Sequence, residues 1–168
     1  MKSSTSVAFG LNKMVETPIT YCLVKGAGDA RMPLNAFDKA LLNAGVGDTN
    51  LMRVSSIVPP GCREVFKVDL PKGALIPIAY AEITSSVPGE IVSAAVAVGI
   101  PEDEEEAGVI MEHEAISPLD ETRRIVEQMV TDAFGYRQRR LKEIKTIGVE
   151  HRVKQSGSAF AAAVLWYD

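Results

Sequence analysis

The apolar positions change period along this chain, and the changes mark its elements. TYCLVKGAG (20–28) is a short run of strand formers and predicts a strand leading into a glycine turn. GAGDA (26–30) lacks the spacing of a dinucleotide or phosphate loop and is read as that turn. RMPLNAFDKALLNAG (31–45) switches to helical spacing, with Leu34, Phe37, Leu41 and Leu42 on one apolar stripe. Pro33 suits its first turn and Gly45 its stop. NLMRVSSIVPPG (50–61) returns to strand formers, ended by Pro59-Pro60.

Strand patterns then follow in series at 74–85, 91–100 and 107–116, joined by VPGE and PEDEEE. A helix is expected next. Ser117-Pro118 and Asp120 resemble an N-cap, a first-turn proline and a capping-box acid. Ile125, Met129, Val130 and Phe134 carry the helical period, which extends from about Leu119 to about Lys145. IGVEHRV (147–153) and GSAFAAAVLWYD (157–168) close the chain as strands, with a turn at QSG. Antiparallel strands with two helices predict an α+β layered fold. The small residues of AAVAV and FAAAV imply close approach of another layer or subunit.

Composition narrows the class. A chain of 168 residues, 46% apolar and 24% charged, suits one soluble domain with a real core. No apolar run reaches the ~20 residues of a membrane helix, and the N-terminus lacks the apolar core of a signal peptide. The first dozen or so residues are expected to be loosely ordered. Cys22 and Cys62 form no CxxC pair and are expected to be reduced cytosolic thiols. His113 and His151 are too few and too scattered for a histidine-rich metal site. A net charge of −4 gives no reason to expect nucleic acid.

Several charged stretches have ordinary explanations. EDEEE (102–106) reads as a solvated loop. The five cations of YRQRRLKEIK (136–145) are expected to complement a helix C-terminus. Other polar residues fit less easily. Asp38 falls within the apolar stripe, where a bare carboxylate is costly to bury; an ion pair and a waiting cationic ligand explain it equally well. Glu112 lies in VIMEHEA on the same face as Ile110 and Glu114, either as a paired surface carboxylate or as a catalytic acid. Ser55-Ser56 interrupts a strand pattern, as a polar nick or as a hydroxyl with chemistry to do. Asn50 and Ser56 would lie about 20 Å apart along a straight strand. They share one site only if the strand bends or a second subunit supplies one of them.

Several blocks, in order, carry a resemblance: PLNAFDKALLNAGVGDTNLMRVSSIVPPG, GEIVSAAVAVGIP, GVIMEHEA and VEHRVKQSGSAFAAAVLWYD. From about Thr20 to the C-terminus the chain resembles the pyruvoyl-dependent arginine decarboxylases of archaea and some bacteria. The resemblance implies a four-layer αββα sandwich of one domain, 1–168, that cuts itself between Ser55 and Ser56 into chains 1–55 and 56–168. The Ser56 hydroxyl would attack the Ser55 carbonyl, and elimination and hydrolysis would leave a covalent pyruvoyl group derived from Ser56. That group would form a Schiff base with L-arginine and draw electrons as carbon dioxide leaves. Glu112 would donate a proton, Asp38 and Asn50 would bind substrate, and agmatine would be released for polyamine synthesis.

The resemblance also implies a cytoplasmic homotrimer with sites between subunits, pairing of trimers left open, and no membrane or nucleic-acid partner. Two alternatives remain at this point. One is a pyruvoyl decarboxylase of another amino acid, such as histidine or aspartate. The other is an uncleaved, non-catalytic paralogue that serves as a subunit partner. A serine hydrolase is the weakest option, because no GxSxG elbow is present.

Overall fold

The computed structural model describes residues 16–167, so the loosely ordered start expected above lies outside the described residues. The chain runs β1 (Thr20–Ala30), α1 (Pro33–Asn43), β2 (Asn50–Arg53), β3 (Ile57–Val58), β4 (Arg63–Glu64), β5 (Leu75–Ser85) and β6 (Ile91–Pro101). It continues through β7 (Gly108–Ala115), α2 (Leu119–Arg137), β8 (Leu141–Arg152) and β9 (Ser156–Trp166). One sheet has the order β2-β5-β9-β1-β4 and the other β3-β7-β6-β8. Most pairs are antiparallel, as expected, but β1–β4 and β2–β5 are parallel.

Three apolar clusters define the layers. Between the sheets, Ala79, Ala81, Ala94, Val96, Val98, Ile110, Ala159, Ala161 and Ala163 interdigitate. Outside the five-stranded sheet, Ala40 and Ala44 of the α1 region pack with Ile76, Ile78, Phe160 and Ala162. Outside the four-stranded sheet, Val126, Val130 and Phe134 of α2 cover Ala95, Ala97 and Val109. The order is therefore helix, sheet, sheet, helix: a four-layer αββα sandwich. The small residues of β6 and β9 are buried on both faces, which fits their central strands.

GAGDA is not a turn. It is the second half of β1, paired with Phe160 to Ser156 of β9. Its glycines admit the helix: a Cβ on Gly28 would lie 2.6 Å from the Ala36 carbonyl oxygen and 2.6 Å from Lys39 Cβ. The α1 stripe is also corrected. Ala36 and Ala40 are the buried ridge, and Phe37 and Leu41 pack beside it. Leu34 and Leu42 are exposed, as is Asp38. Gly45 does stop the helix, at φ +81°.

The second helix ends eight residues before the expected Lys145. Gln138 adopts left-handed backbone at φ 53°, and β8 begins at Leu141. A register shift against Ile100 and Pro101 places an extra residue in β8. Leu141 and Ile144, three apart, consequently both pack against the α2 cluster. That spacing imitates a helix. The cations past Arg137 do not serve a helix end: Arg139 pairs with Glu106, Arg140 with Glu102 and Lys145 with Glu64. At the other end the N-cap is Pro118, and no side chain of its own segment caps the helix. Glu150 of β8 accepts from the Leu119 amide at 2.8 Å instead.

The acidic stretch 102–106 is a loop between β6 and β7, and among the described residues no cluster of metal-ligating type occurs. Both cysteines are free thiols. Burial pushes Cys62 up to about 11, so it is protonated at neutral pH.

Candidate active site

The stretch 50–58 is not one strand. β2 lies at the edge of the five-stranded sheet, with Asn50 to Arg53 beside Leu75 to Ile78. The Val54 amide extends that ladder by one bond, to the Ile78 carbonyl at 3.1 Å. Three residues later β3 pairs in the other sheet, Ile57 opposite Val109 and Val58 opposite Gly108. Val54, Ser55 and Ser56 therefore carry the chain across from one sheet to the other. The strand does bend sharply here, but the bend leaves Asn50 at the far end of β2.

Ser56 takes the strain of that crossing. Its φ of 70° is left-handed, which among the described non-glycine residues only Gln138 shares. Such a conformation costs a residue with a Cβ about 1–2 kcal/mol. Two bonds from β7 hold it: the Ser56 carbonyl accepts from the Ile110 amide at 2.8 Å, and the Ser56 hydroxyl donates to Glu112 Oε1 in a very short hydrogen bond. The alternation of β7 explains why these two residues cooperate. Ile110 and Glu112 share a face, with Ile110 buried between the sheets.

Burial raises the Glu112 carboxyl above its usual range, and the like charge of Glu114 adds to it. The Ser56 hydroxyl and the positive charge of Arg53 draw it partly back. The result is a half-buried carboxyl of enhanced proton affinity in contact with the hydroxyl of a residue on strained backbone. Such a pair can take the hydroxyl proton as an oxygen nucleophile forms, and can return a proton later.

The other two expected residues are not joined to this pair within one protomer. The Asn50 side chain donates to the Gly73 carbonyl at 3.0 Å, at the far end of β2. Asp38 is solvent-exposed on α1, outside the five-stranded sheet, so the cost of burying it does not arise. A cavity of about 330 Å3 follows Ser56 in the chain, lined by Val58, Pro59, Cys62, Arg63 and Lys142 among others, but neither Ser56 nor Glu112 lines it.

Sequence reasoning missed Arg53, Tyr80 and Glu82. Arg53 Cζ lies 4.0 Å above the Tyr80 ring, and its Nη2 donates to the Tyr80 carbonyl at 3.0 Å. Burial and the charge of Glu114 raise the Glu82 carboxyl, while Arg53 draws it down. The available signals were a charge three residues ahead of Ser56 and a carboxylate inside the apolar run ALIPIAYAEITS.

The comparisons with known proteins agree on one family. The profile of the pyruvoyl-dependent arginine decarboxylases matches residues 20–167. The chain is 48% identical over 157 residues to the pyruvoyl-dependent arginine decarboxylase of Methanocaldococcus jannaschii, covering 94% of this chain and 95% of that one. It is 45% identical to the protein of that description from Methanococcus vannielii over 90% of this chain and 93% of the relative. The corresponding Pyrococcus abyssi protein is 37% identical, over 90% and 96%.

Proposed function

This chain belongs to the pyruvoyl-dependent arginine decarboxylase family, and on that premise we propose that it cuts itself between Ser55 and Ser56 and then converts L-arginine to agmatine and carbon dioxide. The observation that carries the reading is the Ser56 hydroxyl, held on left-handed backbone and bonded to a carboxyl of raised proton affinity.

Cleavage and pyruvoyl formation use atoms of the chain and one water molecule. Glu112 takes the proton from Ser56 Oγ as that oxygen attacks the Ser55 carbonyl carbon. The peptide C–N bond breaks, the nitrogen of residue 56 gains a proton, and an ester joins the two residues. Loss of the Cα proton of residue 56 then expels the Ser55 carboxylate from its Cβ. Water replaces the nitrogen of the resulting dehydroalanine, and ammonia leaves. Ser56 is required for this sequence because its side chain is both the nucleophile and the source of the new carbons. The strained backbone raises the ground state of the bond that breaks. Chain 1–55 would keep β1, α1 and β2, and chain 56–168 the remaining strands and α2.

A pyruvoyl group at residue 56 would supply a carbonyl to take the amino group of an amino acid and a neighbouring carbonyl to draw electrons as carbon dioxide departs. The residues around Ser56 fit such a group, since Glu112 already contacts the oxygen on the side chain from which it would form. Glu112, its proton affinity raised by burial, would deliver a proton to the carbon that has lost carbon dioxide. Asp38 would receive the guanidinium through two parallel hydrogen bonds, and Asn50 would line the same site. Neither touches Ser56 in its own protomer, which supports a site completed by a neighbouring subunit of a trimer. Leu34 and Leu42 at 77% and 52% exposure on α1 are apolar surface that such an assembly would cover. A cytoplasmic location and a role in polyamine synthesis belong to the same reading.

The test is the denatured mass of freshly purified protein, followed by incubation with arginine. Chains ending at Ser55 and beginning at residue 56, the second lighter by one ammonia, together with release of carbon dioxide from arginine, are expected. A chain that stays intact on incubation would refute the proposal.

A further inference from the structure

We propose that Arg53 is the anchor for the α-carboxylate of the substrate, a role that rests on the reading above. Its guanidinium is preorganised. Its Cζ lies 4.0 Å over the Tyr80 ring, with one N–H spent on the Tyr80 carbonyl. Tyr80 in turn packs on Phe160 with centroids 5.5 Å apart, and Phe160 packs on Phe37 at 6.2 Å. Phe160 is fully buried. The cation therefore rests on an aromatic column that reaches into the core, and little side-chain entropy is left to lose on binding.

The same guanidinium has donors to spare. Among the described residues it makes no ion pair within 4.0 Å, whereas Arg139 and Arg140 pair with Glu106 and Glu102. A planar fork with free N–H groups matches a carboxylate through two parallel bonds. Position completes the case. Arg53 ends β2, three residues before Ser56, and its charge is felt at Glu112, which contacts Ser56. In any amino acid the carboxylate and the amine share one carbon. An amine brought to residue 56 thus places its carboxylate beside that residue, where Arg53 supplies the nearby cation. The β2–β5 ladder holds Arg53 there whether or not the chain is cut after Ser55.

The pairing has a direction built into it. It exists for the amino acid and vanishes with carbon dioxide, leaving a cationic product beside a cation. It also stabilises the carboxylate before the reaction more than during it. Its loss should therefore raise KM and leave kcat unchanged or higher.

The experiment uses the cleaved enzyme, with cleavage confirmed by mass, as the unmodified protein, Arg53→Gln and Arg53→Lys. Arginine KM and kcat are measured, and agmatine binding is measured by calorimetry. For Arg53→Gln the expected result is a KM raised about tenfold or more, kcat no lower, and agmatine bound as well or better; Arg53→Lys should fall between. An unchanged KM would overturn the proposal. So would an equal loss of arginine and agmatine affinity, which would mark a structural role. An effect on cleavage alone would also overturn it, assigning Arg53 to the new Ser55 carboxylate. If Arg53→Gln stays uncut, Tyr80→Leu removes the platform and keeps the charge; KM should rise about threefold, Tyr80→Phe should restore it, and no rise would be a refutation. Failure of the unmodified enzyme to consume arginine would remove the underlying reading and this one with it, and needs no variant to be seen.

Discussion

Replacing Glu112 with glutamine isolates the proton transfer that starts cleavage. Glutamine keeps the volume and an acceptor oxygen for the Ser56 hydroxyl, so the hydrogen bond and the packing on β7 survive. It does not take up the proton. A positioned general base contributes about 10²–10⁴ in rate, and Glu112→Gln should therefore slow cleavage about 100-fold or more. The strain at Ser56 is a separate contribution. About 1–2 kcal/mol of left-handed backbone strain is worth roughly 5- to 30-fold in rate, and it remains in the variant because β7 still holds the Ser56 carbonyl. The assay follows the intact chain by denaturing mass after a short pulse of cell-free synthesis, across a pH series. In the unmodified chain the rate should climb with pH, because the ionised carboxylate is the acceptor. That climb should lie above the ordinary carboxylate range, because burial raises Glu112 despite the opposing pull of Ser56 and Arg53. In the variant the climb should disappear. Cleavage within threefold of the unmodified rate, or the same climb in both proteins, would show that Glu112 is not the acceptor.

Asp38→Asn should raise the arginine KM about tenfold or more, as expected for a lost charge-assisted pair, with cleavage at its normal rate because Asp38 takes no part in the bond changes at Ser55 and Ser56; unaltered kinetics would remove Asp38 from the site. Gly28→Ala should destabilise the fold by about 3 kcal/mol, since its Cβ would press on the α1 backbone at 2.6 Å, and an unchanged urea midpoint would refute that. Asp29 closes β1 against the β8–β9 turn by accepting from His151 at 2.8 Å and from the Lys154 and Gln155 amides at 2.8 and 3.0 Å. Burial alone would raise its carboxyl, but these bonds outweigh it and hold it below the usual value. A lowered folded value stabilises above the unfolded carboxylate range near ~4 and is lost as pH falls through the folded value. Asp29→Asn should therefore cost about 2 kcal/mol at neutral pH and progressively less in acid, by urea titration; an equal cost at every pH would count against the clamp.

The elements legible in the sequence are those in which each face meets a single kind of environment. β5, β6, β7 and β9 show their alternation or their small-residue runs because each packs against a complete neighbouring layer. Where two demands meet in one stretch, the pattern misleads. Gly26 and Gly28 look like a turn because glycine is common there, yet they are strand residues stripped of side chains so that α1 can approach. Leu141 and Ile144 look helical because a bulge shifts the phase of β8. Asp38 looked buried because Leu34 and Leu42 were counted into a ridge that Ala36 and Ala40 form.

The site divides in the same way. Ser56 was legible as a polar interruption of a strand pattern, Glu112 only as a carboxylate open to a surface or a catalytic reading. The fold explains the interruption: a chain passing between sheets needs a strained link, and the facing strand must fasten it. Arg53 was not legible, because an arginine at a strand end is ordinary on an exposed edge. Its meaning depends on Tyr80, 27 residues away, and on the Phe160 beneath it, 107 residues away. Only sheet register brings these together. A strained serine held on its carboxyl needs the crossing from β2 to β3 and the bonds from β7; a cation fixed beside them also requires Tyr80 of β5 and Phe160 of β9 to be stacked beneath it. Cleavage chemistry and substrate recognition thus draw on different parts of the fold, so loss of the Tyr80–Phe160 stack should impair arginine binding before it stops the chain from cutting itself.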